Sequence, residues 1–98
     1  MFVHHVFFWL KNPQNESDKQ ALIAGLETLK TIPGYQMALI GSPADTDRPV
    51  IDSSYAISWL LLFENGEQEA VYQEHPTHQA FIANCAHLWE KVVVYDSL

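Results

Sequence analysis

The sequence predicts an α+β domain in the order β-α-β-β-α-β, with a four-stranded antiparallel sheet, and three observations point to it. Short, densely apolar runs lie at both ends and in the middle of the chain. Two stretches with helix signals separate them. The whole is 98 residues with 48% hydrophobic content, the size and composition of one core, so residues 1–98 are read as a single domain.

The elements follow in turn. Met1 to Lys11 is rich in Val, Phe and Trp and stops at Asn12-Pro13, which reads as a strand. Ser17 with Gln20 three residues on reads as a capping box. It opens a helix in which Leu22, Leu26 and Leu29 recur on one face until Ile32-Pro33-Gly34 ends it. Tyr35 to Ile40 is a second strand, followed by a polar loop from Asp45 to Asp52 around a single Arg48. Ser54 to Phe63 alternates Tyr55, Ile57, Trp59, Leu61 and Phe63 with Ala56, Ser58, Leu60 and Leu62, so this third strand is apolar on both faces. Asn65-Gly66 turns the chain into a helix, Glu67 to Gln73. Pro76 breaks it, and Thr77 caps a second helical piece that runs to Cys85 or Ala86. Trp89 to Tyr95, with three valines in succession, reads as a buried last strand.

That order is the split βαβ, ferredoxin-like arrangement, with both helices on one face of the sheet. Three of the four strands are apolar on both faces, so water is a poor neighbour for the uncovered face. At about 25 cal/mol per Å² of apolar surface, a second sheet is the expected cover. Two chains related by a two-fold axis then form a dimeric α/β barrel, a homodimer joined through the open sheet face.

Charge narrows the partners. Five Lys and Arg against twelve Asp and Glu give a formal charge of -7, which opposes nucleic acid and anionic membrane surfaces. The apolar run from Phe2 to Leu10 has no basic segment before it and no small-residue cleavage site after it, and no stretch nears the roughly 20 apolar residues of a spanning helix. The single cysteine, Cys85, cannot pair within the chain and suggests a reducing, cytoplasmic setting. Packing is the reading favoured for Cys85 over nucleophilic work.

The chemistry-bearing residues are chiefly histidines, five in all. His4 and His5 are adjacent on a strand and point to opposite faces, so they cannot serve one site; which of them faces the helices is open. In Tyr72-Gln73-Glu74-His75-Pro76-Thr77-His78, Pro76 breaks the helix and His78 falls on the first turn of its continuation. There the helix dipole keeps an imidazole neutral and able to act as a base, and the break can bring the Tyr72 phenol toward it. His75, His78 and a histidine of the first strand could supply three nitrogens to a zinc-like site, but no carboxylate is obligatorily placed with them and Pro76 constrains the pair; no metal is expected. No phosphate-cradling loop, dinucleotide fingerprint or Ser-His-Asp motif occurs, and no cofactor is expected. Arg48 could meet an anion, although pairing with Asp45, Asp47 or Asp52 in its own loop explains it more simply.

Four segments carry a resemblance that spans nearly the whole chain: His4 to Lys11, Gly41 to Arg48, Tyr72 to His78, and Leu88 to Asp96. Together they resemble the stress-responsive A/B barrel (Dabb) family. The resemblance implies ferredoxin-like homodimers whose sheets meet as a barrel, in agreement with the argument from sheet burial. Most bacterial members have no assigned activity, whereas a plant polyketide cyclase of the family works without cofactor. By that resemblance Tyr72 and His78 are the candidate catalytic pair, and His4 is the early-strand histidine. A tyrosine that lines the cyclase pocket falls at Gly25 here, so the pocket is shaped for another molecule. The reading is a dimer that binds a small organic molecule between sheet and helices through His4, Tyr72, His75 and His78. The alternative is a cofactor-independent enzyme, a cyclase, isomerase or monooxygenase-like protein, with His78 as base and Tyr72 as partner. A purely structural dimer with a filled interior is the third possibility.

Overall fold

The computed structural model describes residues 1–98. It contains β1 (Phe2–Leu10), α1 (Glu16–Leu29), β2 (Tyr35–Gly41), β3 (Ile57–Phe63), α2 (Gly66–Glu74), α3 (Pro76–Cys85), a single 3₁₀ turn (Ala86–Leu88) and β4 (Trp89–Ser97). The four strands form one antiparallel sheet in the order β2-β3-β1-β4. This is the predicted ferredoxin-like fold.

Local chemistry sets the boundaries. α1 begins at Asn15, whose side chain accepts from the Asp18 backbone N–H at 3.1 Å, two residues before the predicted Ser17. Asn and Ser cap about equally well, and the backbone turn in which Asn15 N–H donates to the Asn12 carbonyl at 2.9 Å decides between them. After α1, Gly34 adopts φ +109°, a left-handed conformation that turns the chain into β2. Asn65 caps α2 in the same way as Asn15 caps α1. The cap of α3 is His75 rather than Thr77: its Nδ1 accepts from the Thr77 N–H at 3.1 Å, while Pro76, lacking an N–H, fills the first helical position. β3 begins at Ile57, not Ser54, because Asp52 and Ser54 bond to each other in the loop.

One continuous core lies between sheet and helices. It joins Val6, Phe8 and Leu10 of β1 and Ile57, Trp59, Leu61 and Phe63 of β3 to Leu22, Leu26 and Leu29 of α1 and Phe81 of α3. Gly25 lets α1 and α3 approach closely: a Cβ there would stand 2.5 Å from Cys85 Sγ and 3.1 Å from the Phe81 ring. The last strand departs from expectation. β4 is an edge strand that α3 covers at its start, where Trp89 stacks on Phe81, while Val92 and Val94 remain 42% and 46% exposed. The loop residue Arg48 forms no ion pair with the aspartates around it; the ion pairs of the chain are His4 with Asp96 and Glu69, and Lys30 with Glu27.

Candidate functional site

Because β4 outruns its helical cover, a cavity of about 160 Å³ opens between β1, β4 and the broken helix α2–α3. Apart from His4, Gln73 and His78, its lining side chains are aliphatic or aromatic. The helix break does what the sequence suggested it could. Tyr72, near the end of α2, and His78, in the first turn of α3, meet edge to face with ring centroids 5.0 Å apart. The contact is between rings; no hydrogen bond joins phenol to imidazole.

Tyr72 is 1% exposed, and its Oη accepts a hydrogen bond of 3.0 Å from Trp59 Nε1. Burial pushes its phenol up to about 12; the Trp59 bond opposes that rise and the Glu69 charge adds to it. With the indole occupying one lone pair, the phenol keeps its own O–H for another acceptor. His78 is held below the ordinary imidazole range, first by burial and then by the neighbouring His4. Desolvation, more than the helix terminus the sequence pointed to, keeps this ring uncharged.

The two β1 histidines separate as the pleat requires. His4 faces the helices and is 5% exposed, with its ring centroid 6.0 Å from that of Tyr72. His5 lies on the open face against Phe7, centroids 4.3 Å apart. Antiparallel register sets His4 opposite Asp96, and His4 Nδ1 lies 2.7 Å from Asp96 Oδ1 and 3.7 Å from Glu69 Oε1. Gln73 Nε2 donates to Glu69 Oε1 at 2.9 Å and lies 3.4 Å from His4 Nε2. His75 lies outside the cavity lining, its ring engaged in capping α3.

The three nitrogens weighed as a zinc-like site, from His75, His78 and a β1 histidine, do not converge. The metal-capable donors that converge are His4, Glu69 and Asp96, with ligand atoms within 4.8 Å of one another. Imidazole and carboxylates of this kind suit a divalent cation, but Nδ1 of His4 is already at hydrogen-bond distance from Asp96. Sequence reasoning did not single out Asp96, Glu69 or Gln73 as site residues, since their relation to His4 depends on strand register and on the placement of α2. It also passed over Trp59, which reads only as a core residue. At Gly25, Phe81 and Cys85 occupy the space that a larger side chain would need, and the cavity is walled on that side by Leu29 and Phe81. Cys85 itself is buried and its thiol is pushed up by desolvation, in keeping with packing.

A sheet backed by two helical segments, with an apolar cleft at its uncovered edge, defines a small ferredoxin-like domain. The chain belongs to the stress responsive A/B barrel domain family, whose sequence profile matches residues 2–98. No curated protein sequence matches it. Among solved structures it is similar to a Dabb family protein with a ferredoxin-like fold from Mesorhizobium loti, with 24% identity, TM-score 0.79, and 99% of this chain and 94% of that chain covered. A dimeric ferredoxin-like protein of unknown function from Thermobifida fusca is 20% identical, with TM-score 0.78 and coverage of 98% and 88%. The hydroxynitrile lyase of Passiflora edulis is 19% identical, with TM-score 0.77 and coverage of 98% and 90%. At these identities the likeness establishes the shared fold. No helix is long and apolar enough to cross a membrane.

Proposed function

We propose that the protein is a homodimer that binds a small, mostly apolar organic molecule in the cleft between sheet and helices. The observation that carries this reading is the cavity itself. An apolar lining supplies affinity, and a few convergent polar groups, the Tyr72 phenol with His4, Gln73 and His78, give it orientation. A cofactor plays no part in the proposal, and the lone buried Cys85 supports a reducing, cytoplasmic setting. Dimerisation is supported by the other sheet face, where Met37, Leu39 and Tyr95 are 46%, 53% and 65% exposed beside Phe7, Trp9 and Leu60. The Thermobifida fusca and Bacteroides fragilis neighbours are dimeric proteins of the same fold. A thermal-shift survey of small phenolic, carbonyl and fatty compounds tests the binding. A ligand at about 100 times its Kd adds roughly 2.7 kcal/mol to stability, whereas a flat response across all classes removes the reading.

The second reading, a cofactor-independent enzyme, is favoured by the uncharged His78 against the undissociated Tyr72 phenol, an arrangement suited to acid–base work. That one neighbour of the fold is a hydroxynitrile lyase supports small-molecule chemistry in such a cleft. Recovery of a stabilising compound as product identifies turnover, and His78→Ala then abolishes it with folding and dimerisation intact. Full activity in that variant removes His78 as the base.

A further inference from the structure

Arg48 lies exposed in the loop between β2 and β3 and forms no ion pair within its own chain. The same loop helps to build a second pocket, of about 150 Å³, on the open face of the sheet, lined by Phe7, Trp9, Tyr55, Tyr95 and Asp52. Its rings stand steeply to one another, like the walls of a box. Tyr55 and Tyr95 lie 5.0 Å and 6.1 Å from Phe7, both at 70°, and Tyr55 lies 6.4 Å from Trp9 at 79°. Hydrogen bonds fix the one carboxylate among them. Trp9 Nε1 donates to Ser54 Oγ at 3.0 Å, and the Ser54 hydroxyl and N–H both donate to Asp52 Oδ1. Those two bonds hold the Asp52 carboxyl below the usual carboxylate range. Lys91, outside the lining, lies 4.6 Å over the Trp9 ring, so the indole already accepts a cation. Aromatic faces beside an ionised carboxylate suit a guanidinium, which stacks on rings and forks onto carboxylate oxygens.

The sheet order decides whose guanidinium arrives. In the order β2-β3-β1-β4 the free edges are β2 and β4, and these two strands run in opposite directions. A two-fold axis directed along the strands, between two facing sheets, sets the partner's β2 beside β4 and keeps like ends of the strands together. The partner's β2–β3 loop then crosses the end of β1 and β4 where the pocket lies. We propose that the aromatic pocket is an inter-subunit socket, filled in the homodimer by Arg48 of the partner subunit, which stacks between the rings and pairs with Asp52. Two-fold symmetry gives two such sockets per dimer. Of the other four cations, Lys19 and Lys30 belong to α1 in the helical layer and Lys91 is held over Trp9. That leaves Lys11, a compact ammonium without the fork, as the competitor. The inference rests on the homodimer reading and adds to it the contact that sets the two sheets in register.

Charge reversal in the full chain tests the socket. Both positions are exposed, so Arg48→Glu and Asp52→Lys are expected to fold with the circular dichroism of the wild type. Each alone is expected to raise the dimer Kd, read by sedimentation, roughly tenfold or more, because each sets like charges against one another at both sockets. The two variants are then unfolded together in urea, refolded as an equimolar mixture and separated by mass in native mass spectrometry. A mixed dimer carries the native pair at one socket and the reversed pair at the other, so it is expected to exceed the statistical half of all dimers. A statistical mixture overturns the inter-subunit contact, since a pairing of Arg48 with Asp52 of its own chain gives no such preference. An unchanged Kd in either variant overturns it as well. Lys11→Glu mixed with Asp52→Lys is expected to stay statistical, and a preference there hands the socket to Lys11 and overturns the assignment to Arg48. A wild type that is monomeric at micromolar concentration overturns the homodimer reading beneath the inference, whereas a wild-type dimer indifferent to both reversals overturns the socket alone.

Discussion

The two faces of the sheet begin from the same composition and end in different states. Along β1, His4, Val6, Phe8 and Leu10 are 3–5% exposed beneath the helices, while His5, Phe7 and Trp9 alternate with them on the other side and stay half-buried. Along β3, Leu61 is fully buried and its neighbours Leu60 and Leu62 are not. Both faces are apolar, so hydrophobicity alone does not make a core; what matters is whether a second layer reaches it. The covered face also fails locally. The helices shield β3 and β1 but cover the edge strand β4 only at Trp89, and the gap they leave is the cleft where His4, Tyr72 and His78 meet.

The comparison can be broken by substitution. Leu61→Ala on the covered face removes a side chain with no exposure and is expected to cost about 2–5 kcal/mol, read as a fall in the urea midpoint at one fixed protein concentration. A loss under 1 kcal/mol would mean that the helical layer is looser than the burial indicates. Next in size is the alkaline limb set by Tyr72. Its phenol ionises near 10.0 when unfolded and is raised to about 12 when folded, so the fold favours the protonated form. That contribution, about 2–3 kcal/mol at one pKa unit per 1.36 kcal/mol, is complete below pH 10 and lost as the pH rises toward 12. Tyr72→Phe should flatten stability over this window, at the cost of leaving Trp59 Nε1 without its acceptor.

The open face calls for a different measurement. Leu60→Asp, one residue from Leu61, should leave the circular dichroism of the protomer intact while sedimentation shows monomer at concentrations where the wild type is dimeric. If the aspartate variant is still dimeric, the proposed sheet-to-sheet interface is wrong. The smallest effect expected is at acid pH. His78 is held below its unfolded value of 6.5, so its contribution to stability is present above that value and is lost as the pH falls below it. His78→Gln should therefore reduce the slope of stability against pH on the acid side, measured by urea unfolding from neutral pH downward.

Much of the fold was legible because it depends on local signals. Period-two apolar runs marked the strands, the Leu22, Leu26 and Leu29 spacing marked α1, and Pro76 marked the break between α2 and α3. The caps were missed by two residues in both α1 and α3, since Ser17, Asn15, His75 and Thr77 are all chemically able to cap and only the path of the preceding chain chooses among them. The burial of β4 was overestimated because three consecutive valines look alike in a central strand and an edge strand. For the site, Tyr72 and His78 were within reach of sequence reasoning because the helix break lies between them. His75 was also within reach, but its ring faces the backbone of α3 instead of the cleft.

The amino-acid order thus determined the elements, their succession and the double-sided hydrophobicity of the sheet, all properties of residues a few positions apart. Which histidine enters the cleft, that Asp96 stands behind it from 92 positions away, and that the helices cover β4 only at Trp89 were decided only by strand register and layer packing. The physical reason is one of range. Pleat and helix periodicity repeat within a few residues, whereas a one-residue shift in pairing would have carried His5 to the helical side and set another β4 side chain opposite His4.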